Sequence, residues 1–452
     1  MRYKVKVEPN EGTELYYNDQ YMSFTLPNEI IDLSTLNFMY DATGDVWKHI
    51  TVGASDYRSI LRFLPKLSSG VIDEITISRD NKIIQNIKNY NYIDCLLNDL
   101  TKDDDDEPQR LYTDTIRKRD IRYVAGVIDG VNQPIIASVT RPQALTTQWW
   151  EYDMGTTSQK TNYDTYFVSK WLGFLNMRYL DARKNNYTIQ IKLAQREIMY
   201  NGLYYTDAGI TTNVTFDNST ARYRVRNPYF IFDVLSEPPT EGFDNMFMHY
   251  DSILGYDDYN SKKTCISIET KEPVIYALGT FTKPQSRSTI GHLQMAHVHY
   301  DNTTIYGDRI TNNVDSFAKI TNVQPLDKTY TVKKAIIEGE LSILNNSSFF
   351  DRCGTAVSSA FFKLNSFKLC PDMNIVDIYN QTKKYLKTDM KRITSVSQFK
   401  NNFFAHIIGI DDMSEDYKKI EWNVRHDILS LSTGGIAGGA PMLMICTLRA
   451  FP

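Results

Sequence analysis

From Tyr187 to Leu193 apolar and polar residues alternate without a break. Tyr187, Ile189, Ile191 and Leu193 fall on one side, and Thr188, Gln190 and Lys192 on the other. A period of two is the mark of an extended strand with one buried face, whereas a helix would scatter these seven residues around its axis. The pattern recurs along the chain. Met22, Phe24 and Leu26 alternate with Tyr21, Ser23 and Thr25, and Pro27 ends that segment by withholding a ladder donor. Residues 5–8 read as another strand, and 222–235 as a long one whose later half is apolar on both faces. In the second half strands are expected at 265–269, 274–281, 295–300, 335–344, 360–369 and 442–448. Many short strands and few helical stretches define an all-β chain of sandwich type.

A length of 452 residues exceeds what one core usually organises, so two domains are expected. The strongest break is Ser236-Glu237-Pro238-Pro239-Thr240-Glu241-Gly242, two prolines in a polar stretch near the midpoint. It divides the chain into 1–236 and 237–452. The halves echo one another. Ile75, Ile77, Asp80, Ile83 and Ile84 have the spacing of Phe367, Leu369, Asp372, Ile375 and Val376. Tyr90-Asn91 and Leu97 match Tyr379-Asn380 and Leu386, and 167–173 (FVSKWLG) parallels 403–409 (FFAHIIG). The first half holds the longer gap between its echoes, and the excess equals a polar insertion at about 101–161. Same order with one insertion is the pattern of a duplicated β domain.

The stretch 58–100 is the most informative. Ile60, Leu61, Phe63 and Leu64 lead to Pro65; Val71, Ile75 and Ile77 follow on one side of a strand; Arg79-Asp80-Asn81 signals a turn. A helical segment follows in which Ile93, Leu96, Leu97 and Leu100 fall at i, i+3, i+4 and i+7. Leu64-Pro65 beside Ser68-Ser69, the strand, then Asp80-Asn81-x-Ile83-Ile84-x-Asn86-Ile87-x-x-Tyr90-Asn91 and Leu96-Leu97 resembles the N-terminal jelly roll of double jelly-roll major capsid proteins. These come from virophages, Polinton-like viruses and nucleocytoplasmic large DNA viruses, in the adenovirus hexon lineage. The resemblance implies two tandem eight-stranded jelly-roll β-sandwiches with short helices and loop insertions. It also implies a homotrimer that forms a pseudo-hexagonal block and tiles the icosahedral shell of a double-stranded DNA virus. Its partners would be neighbouring capsomers, penton proteins and minor capsid proteins. Its place would be the virion, after assembly in the cytoplasm or nucleus of the host cell. Insertions such as 101–161 would rise outward as small towers.

Composition agrees with a structural role. The net charge of −4 is no basis for a histone-like nucleic-acid coat. Thirty tyrosines favour strands and large contact surfaces. No apolar run approaches the length of a membrane span, and the N-terminus lacks the apolar core of a signal peptide, so a soluble protein made in the cytosol is expected. Five scattered cysteines (Cys95, Cys265, Cys353, Cys370, Cys446) without a CxxC read as reduced, buried thiols. Asn-x-Ser/Thr triplets, for example at Asn186, Asn213 and Asn302, are chance products of an Asn-rich chain.

Four clusters carry residue types that could support chemistry. His297 and His299 share a strand face near His292, as metal ligands do in cupins, but the further Glu and distant His of a cupin site are missing. Polar or interface histidines are the expectation. Asp103-Asp104-Asp105-Asp106-Glu107 offers the oxygens a hard cation wants, yet lacks the spacing and glycine of an EF-hand, so a solvated loop is expected. The glycines of 434–439 have neither a following Lys nor a helix to hold a phosphate. Arg222, Arg224 and Arg226 alternate beside Tyr223 and Tyr229, as on a nucleic-acid surface, but a solvent-facing strand or an inter-subunit ion pair is the simpler reading. No catalytic, cofactor-binding or metal residue is therefore assigned, and no enzyme activity, cofactor or specific nucleic-acid site is expected. The alternative to a shell protein is a tandem jelly-roll binding module, such as a penton or a receptor- or glycan-binding protein, which would present an aromatic ligand groove.

Overall fold

The computed structural model describes residues 2–12, 15–44, 48–52, 55–63, 68–101, 120–128, 131–139, 164–195, 200–207, 223–255, 263–281, 296–300, 319–322, 335–340, 357–386, 396, 399–400, 403–426 and 441–451. Four sheets build the barrels from two matching sets of eight strands, and the short strands Leu15–Tyr17 and Tyr179–Asp181 add to the first sheet. In the first half the eight are β1 (Arg2–Val7), β2 (Tyr21–Thr25), β3 (Ile30–Gly44), β4 (Ile72–Arg79), β5 (Lys82–Lys88), β6 (Asp164–Val168), β7 (Tyr187–Leu193) and β8 (Tyr223–Leu235). In the second half they are β9 (Met246–Leu254), β10 (Lys263–Thr270), β11 (Val274–Phe281), β12 (Val357–Leu364), β13 (Phe367–Lys368), β14 (His406–Asp412), β15 (Lys418–His426) and β16 (Pro441–Ala450). The first barrel pairs β1-β8-β3-β6 against β2-β7-β4-β5; the second pairs β9-β16-β11-β14 against β10-β15-β12-β13. Each strand of the second set occupies the place of the strand eight earlier, and all these pairings are antiparallel. Two jelly rolls of identical strand order stand in tandem.

A helix follows the fifth strand of each: α1 (Tyr90–Thr101) and α2 (Ile375–Leu386). The sequence echoes thus lie near equivalent elements, but their residue register is shifted. Ile75 sits on β4, whose counterpart is β12, and not the segment holding Phe367; Ile83 sits on β5, whereas Ile375 opens α2. Between the Asp80-Asn81 turn and α1 lies β5, where an uninterrupted run from turn to helix was expected. Asp80 and Asn81 both adopt positive φ and join paired Arg79 and Lys82, the geometry of a two-residue hairpin. β5 escapes a reading by alternation because Ile83 is exposed while polar Gln85 is buried. Val71 belongs to a 3₁₀ turn, Ser68–Val71, that precedes β4.

Both cores are aromatic. In the first, Phe24 meets Phe230 edge-on at 4.8 Å, and Trp171 lies 5.7 Å from Phe230 with its Nε1–H donated to the Leu36 carbonyl at 2.9 Å. In the second, Trp422 packs on Phe281 at 5.0 Å and donates Nε1–H to His406 Nδ1 at 3.2 Å. Gly279 makes room for it: a Cβ there would stand 2.2 Å from the indole. The insertions are also ordered in part. Strands Asp120–Ile128 and Val131–Val139 pair with each other and, through Ala335–Glu340, with Lys319–Asn322 of the second half. The 101–161 insertion is therefore sheet in part. A second added sheet joins Lys48–Val52, Ser55–Phe63, Tyr200–Asp207 and, in parallel, Ala296–Tyr300. In both, insertions of the two halves share one ladder.

Candidate functional site

The described residues hold no group of three or more acidic, His or Cys side chains arranged for a metal ion. The organised polar site lies where the barrels meet. Edge strand β9 runs beside β5 and the 3₁₀ turn Gly173–Asn176. Gly173 has φ of 72°, and a Cβ on it would fall 2.4 Å from Gln85 Oε1, so glycine serves both the turn and its neighbour. Gln85 is fully buried. Its Oε1 accepts the Phe174 N–H at 2.7 Å; its Nε2 donates to the Met248 carbonyl at 3.0 Å and faces His249 Nδ1 at 3.2 Å. His249 Nε2 lies 2.9 Å from Asp251 Oδ1. Around this node Phe174 stacks on Phe451 at 5.8 Å and meets Phe247 edge-on at 5.4 Å. Ser252 receives Asn89 Nδ2–H at 3.0 Å and donates to the Lys88 carbonyl at 3.1 Å. Below them the Arg178 N–H donates to Asp244 at 2.8 Å, and its guanidinium pairs with Glu241. Apolar rings exclude water, and each buried polar atom of Gln85 finds a partner, so the joint is specific in direction as well as in area.

A different surface feature repeats between barrels. Ile83, 67% exposed, is the second residue of β5 after one hairpin turn; Phe367, 78% exposed, begins β13 just after the corresponding turn. They are the two most exposed large apolar side chains among the described residues.

The residues singled out by sequence fall elsewhere. His297 and His299 lie on the strand Ala296–Tyr300, beside Tyr204 and Thr206. His292, the acidic run 103–107, Arg222, Cys353 and the glycines 434–439 lie outside the described residues. Arg226 pairs within the chain, 3.7 Å from Asp41 on β3, and Arg224 is half-buried opposite Tyr17. Cys95, Cys370 and Cys446 are buried as expected, and burial pushes the Cys446 thiol up to about 12. Cys265 is exposed, because on β10 its neighbour Ile266 takes the buried face. Gln85, Gly173 and His249 carried no sequence signal; a buried glutamine in a strand breaks the very alternation by which strands are found.

These features define a class by architecture: a double jelly roll, the fold of the major capsid protein of Faustovirus. That protein is 8% identical, with a TM-score of 0.50 over 100% of this chain and 90% of its own. The PBCV-1 capsid protein fitted into a reconstruction of the virophage Sputnik is 9% identical over 100% and 94%, at 0.48, and the mavirus major capsid protein is 8% identical over 99% and 87%, at 0.41. No family model and no curated protein matches the sequence.

Proposed function

We propose that this chain is a structural, non-catalytic major capsid protein of an icosahedral DNA virus. The observation that carries the reading is the exact-order duplication of the jelly roll in one chain, together with a full-length likeness in fold to the Faustovirus major capsid protein. The two barrels divide at 236/237, in the Pro238-Pro239 stretch. A chain with two like barrels presents six when three copies close around a threefold axis, so a homotrimer acquires a nearly hexagonal outline from threefold symmetry. Such blocks pack side by side, and the repeated apolar hairpin tips at Ile83 and Phe367 offer each barrel a similar lateral contact. Penton and minor capsid proteins would close the vertices and seams of the shell, and the protein would reside in the virion. No described helix is long and apolar enough to cross a membrane.

Light scattering on the purified protein tests the assembly step. The expected mass is three times that of the chain at micromolar concentration. A monomer under all conditions of salt, pH and concentration would overturn the trimer.

A further inference from the structure

We propose that the joint between the barrels is repeated between chains: β1 of one copy seats on residues 369–378 of the next, as β9 seats on 84–93 within the chain. This rests on the homotrimer proposed above and names the surfaces that close it. The stretches 72–101 and 357–386 both run strand, two-residue turn, strand and helix, with no residue gained or lost between them. Their burial agrees, with Ile72, Ile75 and Ile77 inside one barrel and Val357, Ala360 and Phe362 inside the other. Residue can be set against residue, and 369–378 stands where 84–93 stands.

In the first barrel that segment is one wall of the joint. Gln85 meets Met248 and His249, the Ile84 carbonyl faces Arg449, and the Lys88 carbonyl and Asn89 hold Ser252. Of residues 84–93 only Lys88 is exposed. In the second barrel five of the ten counterparts are exposed: Pro371, Asp372, Asn374, Val376 and Asp377. Val376, 47% exposed, stands where Asn91 is fully buried. The opposite wall shows the same contrast. β9 and β1 are equivalent edge strands, paired among the described residues with β16 and with β8. β9 turns Phe247 and His249 into the joint, where Phe247 is 4% exposed; on β1 the alternate residues are Tyr3, Val5 and Val7, and Tyr3 is 42% exposed. Each chain thus carries one closed joint and the two bare walls of another, on different barrels. The barrels of one chain already meet through the closed joint, so the bare walls are left for a second copy. Charge agrees with the pairing: β1 brings Lys4 and Lys6, mostly in solvent, and the bare segment brings Asp372 and Asp377. Lys6 and Asp372 now pair with Glu8 and Lys368, surface ion pairs that exchange at little cost. Unlike walls that join head to tail make a heterologous contact, which adds copies until a ring closes. Three chains then hold six barrels through six like joints. Phe367 stands where Lys82 stands, exposed beside the closed joint, and stays free for contacts between blocks.

A photoreactive benzoylphenylalanine in place of Tyr3 reads the contact in the full chain, with cross-linked peptides mapped on a mixture of isotopically light and heavy protein. Light-to-heavy cross-links from position 3 to residues 369–378 are expected, in species of two and three chains. Val376→Arg changes an exposed position, so the unfolding midpoint of the chain should hold while association weakens by about tenfold or more, as when one good interface contact is lost. Ile83→Ser should leave the trimer mass unchanged. A trimer whose cross-links from position 3 fall elsewhere, or one that Val376→Arg leaves equally stable, would overturn these walls and leave the trimer standing. A chain that stays monomeric would overturn both.

Discussion

At the residue scale the second barrel turns on Trp422 and the two groups that fit around it. Gly279 yields the space, and His406 accepts the indole N–H. Gly279→Ala puts a methyl inside the indole's radius and should cost about 1–3 kcal/mol, as overpacking does, read as a lower midpoint in denaturant unfolding. Burial holds His406 down to about 3, well below the ordinary imidazole range. Its unfolded form binds protons first, so this group's contribution is whole above about pH 6.5 and is lost progressively as pH falls toward 3. His406→Gln keeps an acceptor without the titration, and its unfolding free energy should fall less steeply with acid than that of the wild type. An acid limb of unchanged slope would contradict this assignment. Neither role was legible in the sequence: "GTF" and "AHI" look like any strand, and the partners lie far apart in the chain.

At the element scale α1 shows what periodicity conveys and where it stops. The spacing located a helix, and Ile93, Leu96 and Leu100 are buried as the apolar stripe requires; Leu97 is only half-buried at its flank. Leu96→Asp should therefore cost several kcal/mol, enough to take most of a domain's stability, while Leu97→Asp should cost distinctly less. Thermal unfolding of the pair checks the order. Strict alternation placed β2 and β7 almost to the residue, because each has one wet face and one dry. The fifteen residues of β3 were missed: Ile30, Ile31, Leu33, Leu36 and Phe38 bury residues out of step, and the strand bulges where Asp32 and Thr35 make local bonds. Asp32 is a buried carboxylate held by Arg2 of β1 and by Ser34, a long-range pairing invisible to a local pattern. The exposed hairpin tips supply an assembly test. Ile83→Ser and Phe367→Ser remove surface apolar groups with little packing, so folding stability should stay within about 0.5 kcal/mol while association between capsomers weakens, as sedimentation would show.

At the scale of the whole molecule, duplication was legible as two echoes in the same order, and the double jelly roll as a family resemblance in 58–100. The joint was not legible, since a contact between barrels leaves no period in either. Nor were the pairings in the two added sheets: strands near 295–300 and 335–344 were expected, but their partners lie in distant insertions of the first half. The central claim, that two barrels in one chain exist to tile a shell, is tested most directly by negative-stain electron microscopy of the expressed protein. Run beside it should be a variant with residues 103–107 neutralised and the Leu96→Asp variant. The account predicts compact, nearly hexagonal blocks or closed particles for the wild type and the neutralised variant, and neither for Leu96→Asp. Wild-type protein that remains as isolated two-lobed monomers while binding a glycan or receptor through an aromatic groove would contradict it.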